Sequence, residues 1–165
     1  MNYEKVFKAL NKAKVKYVIA GGVAVVLHGF MRLTNDLDLI VFLQEQNLGR
    51  FFEALKGAGF VPKVPVTKEQ FQDQKQRSIW KKDKGMIVFS FVQRDPPFEM
   101  IDMLVDEPIK FDAIYKLHEK VNLKGVSVPV IAIDHLIRLK QKASRPKDLE
   151  DIVQLKHIKK YRQGK

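Results

Sequence analysis

Hydrophobic and polar residues in the first quarter of the chain follow two spacings, which predict alternating helices and strands. Apolar side chains recur at helical spacing within residues 3–14, and the apolar run VKYVIAG (residues 15–21) predicts a buried strand. The segment GGVAVVLHG (residues 21–29) predicts a short helix that begins at a glycine pair. The segment DLDLIVFL (residues 36–43) predicts a second strand, although two aspartates stand at its beginning.

The rest of the chain continues with strands in the middle and helices at the end. Apolar residues at positions 48, 51, 52 and 55 predict a helix that the glycines of KGAGF end. Residues 78–92 predict a hairpin that turns at residues 82–85. The predicted order is completed by a strand over residues 97–105 (PFEMIDMLV), a helix near 109–117, a hairpin around 122–125 and helices over 133–142 and 146–159.

This order of elements predicts an α/β (α+β) fold in one domain that spans residues 1–165. The predicted core covers residues 16–130, and the C-terminal helices cover residues 133–160. No apolar run reaches the roughly 18 residues that a membrane span needs. The N-terminal segment also lacks the basic and apolar regions of a signal peptide, so we expect a cytoplasmic protein without membrane contact.

Composition narrows the chemistry further. The chain has no cysteine, which excludes disulfides, thiolate metal ligands and a cysteine nucleophile. Thirty basic and 19 acidic residues give a net charge of +11, which favours a polyanionic partner such as a nucleic acid. The lysines are spread along the chain, so a uniformly solvated basic surface is the alternative explanation.

Asp36 and Asp38 are the most unusual polar residues of the predicted strands. Side chains alternate between the two faces of a strand, so both carboxylates point the same way. Two like charges this close stay ionised only beside a cation, and otherwise one of them takes up a proton. Mg²⁺ prefers carboxylate oxygens and often brings substrate phosphates with it. The alternative is that the pair lies in solvent at the start of the strand.

Asp102 is a third carboxylate in the same kind of environment. It alternates with apolar residues in the predicted strand over residues 97–105 and is the only acid of that apolar part. If this strand pairs with residues 36–42, the three carboxylates converge on one spot. Such a cluster holds one or two metal ions in enzymes that transfer phosphoryl and nucleotidyl groups. The alternative for Asp102 is a strand-end acid that binds backbone amides.

The pair Gly21 and Gly22 offers the complementary half of a phosphate site. A glycine turn between a strand and a helix lets backbone amides approach a phosphate closely, and the helix N-terminus adds favourable partial charge. A glycine pair by itself is more often a plain tight turn. Here it precedes the aspartate pair by the length of a short helix and a return to the sheet.

The stretch AGGVAVVLHGFMRLTNDLDLIV resembles the signature of the DNA polymerase β-type nucleotidyltransferase superfamily. That signature is a glycine turn, a short helix and Asp-x-Asp on the next strand, with a third carboxylate on a later strand. The chain is most similar to small AbiEii-like nucleotidyltransferases of the abortive-infection toxin type. Their Arg-x-Thr-x-Asp-x-Asp motif matches Arg32, Thr34, Asp36 and Asp38, and their late motif resembles LKQKASRPKDLEDI, with Lys140, Arg145, Asp148 and Asp151.

This resemblance implies a mixed sheet with helices on one side and a Mg²⁺-dependent transfer of a nucleoside monophosphate from a nucleoside triphosphate such as ATP. Asp36, Asp38 and Asp102 are the implied catalytic and metal residues. The predicted nucleotide-binding residues are Gly21, Gly22, Arg32, Thr34, Lys140, Arg145 and Asp148.

Lys140 also stands out without the resemblance. Ile133, Leu136 and Ile137 form the apolar face of the predicted helix, and Lys140 lies on that same face. Its ammonium group either reaches along the helix to water or points into the site to hold triphosphate charge. Asp148 and Asp151 lie in the first turns of the last helix, where acids are favoured, and Asp151 is interpreted as structural.

The acceptor hydroxyl stays open at the level of sequence. The positive charge and the toxin-like motif favour RNA, for example a tRNA end, with a cognate antitoxin as a further partner. A small aminoglycoside-like alcohol is an alternative acceptor. A non-catalytic nucleotide-binding or RNA-binding module on the same fold is the alternative from another functional class.

Overall fold

A computed structural model describes residues 3–93, 95 and 98–164. The strands are β1 (Tyr17–Ile19), β2 (Asp36–Val41), β3 (Phe60–Pro62), β4 (Val88–Gln93), β5 (Met100–Leu104), β6 (Glu119–Leu123) and β7 (Val126–Val130). The helices are α1 (Glu4–Lys12), α2 (Gly21–His28), α3 (Glu45–Gly57), α4 (Lys68–Gln72), α5 (Gln74–Lys84), α6 (Phe111–Lys116), α7 (Ile133–Ala143) and α8 (Pro146–Arg162).

The described strands form one mixed sheet in the order β3-β4-β5-β2-β1-β7-β6. β2 lies at its centre, antiparallel to β1 and parallel to β5. The strand pairing assumed for Asp102 is therefore present. The predicted α/β architecture with C-terminal helices is confirmed.

The two faces of the sheet carry different helices. Leu37 and Leu39 point to one face, where α1 reaches Tyr17 through a hydrogen bond from its hydroxyl to Asn11 and α3 packs its phenylalanines on β4. This is the helical layer that the resemblance implies. On the face of Asp38, α2 packs against β2 and also contacts α7 and α8. The carboxylates thus lie between the sheet and a second group of helices.

The first half of the predicted hairpin over residues 78–92 is wrong, because residues 74–84 form α5. The Asp73 side chain accepts a hydrogen bond from the Lys75 amide and starts this helix. Trp80 then packs on Phe71 and Phe89 in the core. Gly85, at φ +62°, ends α5 in the left-handed conformation, so the glycine that suggested a hairpin turn is a helix cap.

Other predicted elements agree with the structure within a few residues. The hairpin around residues 122–125 joins β6 and β7, and the two closing helices are α7 and α8. Pro97, the first residue of the predicted strand that became β5, lies outside the described residues. β3 and α4 are short elements that the sequence did not predict. Over the part of the chain that the structure describes, no helix is both long and apolar enough to cross a membrane.

Candidate active site

Three carboxylates converge at the centre of the sheet, as the sequence predicted. In the parallel pairing of β2 and β5, Asp38 lies directly beside Asp102, and Asp36 lies two residues before Asp38 on the same face. One carboxylate oxygen of each aspartate lies within 4.8 Å of the others, and all three side chains are partly exposed. The cluster is therefore open to a ligand from one side.

Asp38 shows the electrostatic cost of this cluster. Burial, together with the negative charges of Asp36 and Asp102, raises the pKa of Asp38 to about 6. A hydrogen bond from the Gly22 amide and the positive charge of Lys140 act in the opposite direction but do not compensate fully. The site therefore favours a cation.

The donor set fits a hard divalent ion. Each of the three carboxylates offers one oxygen, and these oxygens lie within 4.8 Å of one another. Carboxylate oxygens grouped in this way are the ligands that Mg²⁺ takes in phosphate-transfer sites. Asp36, Asp38 and Asp102 are the residues that could hold one or two such ions. The identity of the ion as Mg²⁺ stays a prediction.

Ser90 is a residue of this site that the sequence analysis missed. It lies on β4 directly beside Asp102, and its hydroxyl donates a hydrogen bond of 2.6 Å to Oδ1 of that carboxylate. This bond orients the carboxylate of Asp102, which is partly exposed. The available signal was a single hydroxyl in the otherwise apolar run VFSFV.

The glycine turn lies directly against the carboxylates. Gly21 has φ +59°, and a Cβ atom at this position would lie 1.7 Å from Oδ2 of Asp38. A Cβ atom on Gly22 would lie 2.4 Å from Oγ1 of Thr34. The Gly22 amide already hydrogen-bonds to Asp38. Both glycines are thus required by close approach, and the first also by its backbone conformation.

Arg32 and Thr34 lie on the segment between α2 and β2, close to the glycine turn. The guanidinium carbon of Arg32 is 3.6 Å from the position that a Cβ atom of Gly22 would occupy. Nη1 of Arg32 donates a hydrogen bond of 2.6 Å to Oδ2 of Asp151. The predicted pair of Arg32 and Thr34 is thus placed at the N-terminus of α2, where an anion would bind.

The late motif forms a buried network of charges beside this turn. Lys140 is 5% exposed, and its ammonium group contacts Oδ1 of Asp148 at 3.1 Å and Oδ2 of Asp151 at 2.7 Å. Its ammonium group therefore does not reach water along the helix. Asp151, interpreted from the sequence as structural, joins this network to Arg32.

Arg145 and Asp148 occupy the beginning of α8. The Asp148 side chain accepts hydrogen bonds from the amide and Nε of Arg145, which caps the helix. Burial raises the pKa of Asp148, but hydrogen bonds from Arg145 and Lys140 outweigh it and hold the pKa below the ordinary value. The Arg145 side chain is 74% exposed, so it remains able to meet a ligand.

The predicted site residues thus lie along one continuous surface and its buried support. The three aspartates form one cluster, Gly21 lies against Asp38, and Gly22 lies against Thr34 and Arg32. Arg145 is close enough to interact electrostatically with Asp38 and Asp36. Lys140 and Asp148 lie behind, with their charged groups paired to each other. The roles of individual residues in nucleotide binding stay predictions.

The sequence profile described as aminoglycoside-2''-adenylyltransferase matches residues 2–155 of the chain. Among curated proteins, no sequence matches this chain. The superfamily resemblance found in the sequence is confirmed, whereas the matched profile is not that of the abortive-infection toxins.

Solved structures of three proteins share the fold. ANT(2'')-Ia in complex with adenylyl-2''-tobramycin is 15% identical over 92% of this chain and 84% of its own, with a TM-score of 0.58. The lincosamide antibiotic adenylyltransferase LnuA, bound to lincomycin, is 17% identical over 96% of this chain and 98% of its own, with a TM-score of 0.57. An antigenic nucleotidyltransferase-like protein from Paracoccidioides brasiliensis is 15% identical over 94% of this chain and 77% of its own, with a TM-score of 0.55.

At identities this low, these likenesses show the fold alone. The profile match is of a different kind, because it covers nearly the whole chain, including the glycine turn, the three aspartates and the late charged motif. The chain belongs to the aminoglycoside-2''-adenylyltransferase family and is a nucleotidyltransferase enzyme.

Proposed function

We propose that this enzyme transfers the adenylyl group of ATP to a hydroxyl group of a small antibiotic-like molecule. In the reaction, the acceptor oxygen bonds to the α-phosphorus, the bond from that phosphorus to the bridging oxygen breaks, and pyrophosphate leaves. The hydroxyl proton passes to a base. The observation that carries the proposal is the three-carboxylate cluster packed against the glycine turn.

Each part of the site has a role in this reaction. Mg²⁺, held by Asp36, Asp38 and Asp102, would neutralise the triphosphate and polarise its phosphorus–oxygen bonds. Ser90 keeps Asp102 oriented, either as a ligand or as the base that takes the acceptor proton. The glycine turn and the N-terminus of α2 receive phosphate oxygens. Arg32 and the exposed Arg145 stabilise the negative charge of departing pyrophosphate.

A cavity next to the turn supports a small acceptor. Its volume is about 340 Å³, and its walls come from α1, α2, the segment around Leu33 and the β6–β7 turn. The walls are mostly apolar, with Tyr3, Phe7 and Val23 among them, while Arg32 and Thr34 connect the cavity to the phosphate side. Concave, mainly apolar cavities of this size are typical of small-molecule sites.

The net charge of +11 favours RNA as a second candidate acceptor. The matched family is named for adenylyl transfer to an aminoglycoside, and neither RNA nor an antitoxin is part of that description. The structures of ANT(2'')-Ia and LnuA contain adenylyl-2''-tobramycin and lincomycin, respectively. We therefore place the small molecule first and treat RNA as an arm of the test.

The test incubates the full chain with Mg²⁺ and ATP labelled at the α-phosphate, together with an aminoglycoside, a lincosamide or total RNA in separate reactions. We expect label and one adenylyl mass on a small-molecule acceptor and stoichiometric pyrophosphate. Asp36→Asn combined with Asp38→Asn is the inactive control. Label on RNA alone would overturn the proposed acceptor, and no transfer to any acceptor would overturn the proposed activity.

A further inference from the structure

We infer that Asp151 and Lys140 are positioning residues that hold the Arg32 guanidinium over the glycine turn. The two C-terminal helices would then determine how the site grips the triphosphate. This inference rests on the proposed function, because it assigns residues to the nucleotide side of the same site.

Lys140 is the first residue of a series of hydrogen-bonded side chains that runs from Lys140 through Asp151 to Arg32. It lies on the inward face of α7, where an unpaired ammonium group would be costly. Asp148 and Asp151 of α8 both accept hydrogen bonds from its Nζ and are themselves 1% and 2% exposed. With two of its hydrogen bonds made to buried carboxylates and only 5% of the residue exposed, Lys140 is enclosed between the helices. Its contribution to the site is the placement of Asp151.

Asp151 is the second member. Its Oδ2 atom accepts from Lys140 at 2.7 Å and from Nη1 of Arg32 at 2.6 Å. The Arg32 side chain is 20% exposed, and its Nε donates a further hydrogen bond of 3.3 Å to the Leu33 carbonyl. Nη2 of Arg32 has no protein partner among the residues that the structure describes. Asp151 therefore fixes an arginine that keeps donor capacity for a ligand.

The position of Arg32 shows which ligand that capacity fits. Its guanidinium carbon lies 3.6 Å from the Cβ position of Gly22, at the positive end of α2. A cation and a helix N-terminus repel each other unless an anion lies between or beside them. Asp151 provides that compensation in the free protein, and a phosphate group of the nucleotide would add to it.

The charge balance of the network agrees with this arrangement. The cations Arg32, Lys140 and Arg145 face two carboxylates, Asp148 and Asp151, which leaves one positive charge over. Both arginines are the outer members, whereas Lys140 is enclosed. The surplus charge is thus presented at the surface next to the metal cluster.

The experiment measures binding of Mg²⁺–ATP to the full chain by titration calorimetry, with thermal unfolding of each variant in parallel. We expect Arg32→Ala and Asp151→Asn each to raise the Kd about tenfold, because each removes the fixed guanidinium. The double variant should show the same tenfold loss as the single variants. Such non-additivity identifies action through Arg32, which a purely structural role of Asp151 does not produce.

Asp134→Asn is the matched control. Asp134 pairs with Lys159 between the same two helices, but at the surface and away from Arg32. Its Kd should equal that of the wild-type protein. Additive losses in the double variant, or an unchanged Kd in Arg32→Ala, would overturn the inference.

A second variant keeps the inference testable if Asp151→Asn does not fold. Arg32→Lys retains a cation in the same segment and leaves α8 intact, so its Kd should lie between those of wild type and Arg32→Ala. A Kd no better than that of Arg32→Ala would overturn the need for a fixed cation. The combined Asp36→Asn and Asp38→Asn variant separates the two proposals. If it alone loses Mg²⁺–ATP binding, the inference fails while the proposed function stands, whereas a wild type that does not bind Mg²⁺–ATP overturns both.

Discussion

Replacement of Gly21 by alanine tests whether the glycine turn and the metal cluster are one unit. The new Cβ atom would lie 1.7 Å from Oδ2 and 2.6 Å from Cβ of Asp38, so the carboxylate must leave its position. The residue also has φ +59°, a left-handed conformation that costs alanine about 1–2 kcal/mol. We expect a loss of stability of at least that order, because the displacement of Asp38 adds to the backbone cost, and a loss of Mg²⁺–ATP binding of at least tenfold.

Gly85 offers the matched control for the backbone term. Its φ is +62°, but a Cβ atom there would meet no atom within 4 Å. Gly85→Ala should therefore lose about 1–2 kcal/mol in urea unfolding, because it bears only the cost of the left-handed conformation, whereas Gly21→Ala also bears the displacement of Asp38. It should retain full Mg²⁺–ATP affinity. Wild-type affinity in Gly21→Ala, or equal losses of affinity in both variants, would refute the contact between the turn and Asp38.

Three further outcomes follow from the same contacts. Because the pKa of Asp38 is raised to about 6, the protonated Asp38 carboxyl stabilises the folded protein by about 2–3 kcal/mol below pH 4, and this stabilisation is lost as the pH rises through 6. Urea unfolding of the metal-free protein should show this loss, whereas the Asp38→Asn variant should not show it. Ser90→Ala should weaken Mg²⁺–ATP binding about fivefold in calorimetry, since Asp102 loses a hydrogen bond worth about 1 kcal/mol. Lys140→Met should lower unfolding free energy by about 3–5 kcal/mol, whereas Lys159→Met, at an exposed pair, should cost less than about 1 kcal/mol.

The metal cluster could be predicted from the sequence because it depends on one local rule and one pairing. Strand alternation places Asp36 and Asp38 on the same face whatever the rest of the fold does. Asp102 needed only the assumption that its strand lies beside β2, and few apolar strands of the chain carried a lone carboxylate. The observed register then brings Asp102 next to Asp38 without further adjustment.

The error at α5 has a tertiary cause. Residues 78–84 contain a tryptophan, four charged residues and a glycine just beyond, which suited a strand and a turn. The helix forms because Asp73 caps it and because Arg77 donates to the carbonyls of Phe71 and Gln72 at the end of α4. These partners come from a short helix that the sequence pattern did not reveal, so the local signal was incomplete.

The partners of Lys140 and Asp102 illustrate a further limit. Sequence placed Lys140 on an inward face, but the two acids that it contacts, Asp148 and Asp151, depend on how α7 packs against α8. Likewise, Ser90 reaches Asp102 only in one register of β4 and β5, since a shift by one residue would turn its hydroxyl to the other face. Ser90 and Asp151 thus support residues that the sequence did identify, namely Asp102 on one side and Lys140 and Arg32 on the other. In this enzyme the groups proposed to bind a ligand follow from local pattern, whereas the groups that hold them in place follow from packing between elements distant in sequence.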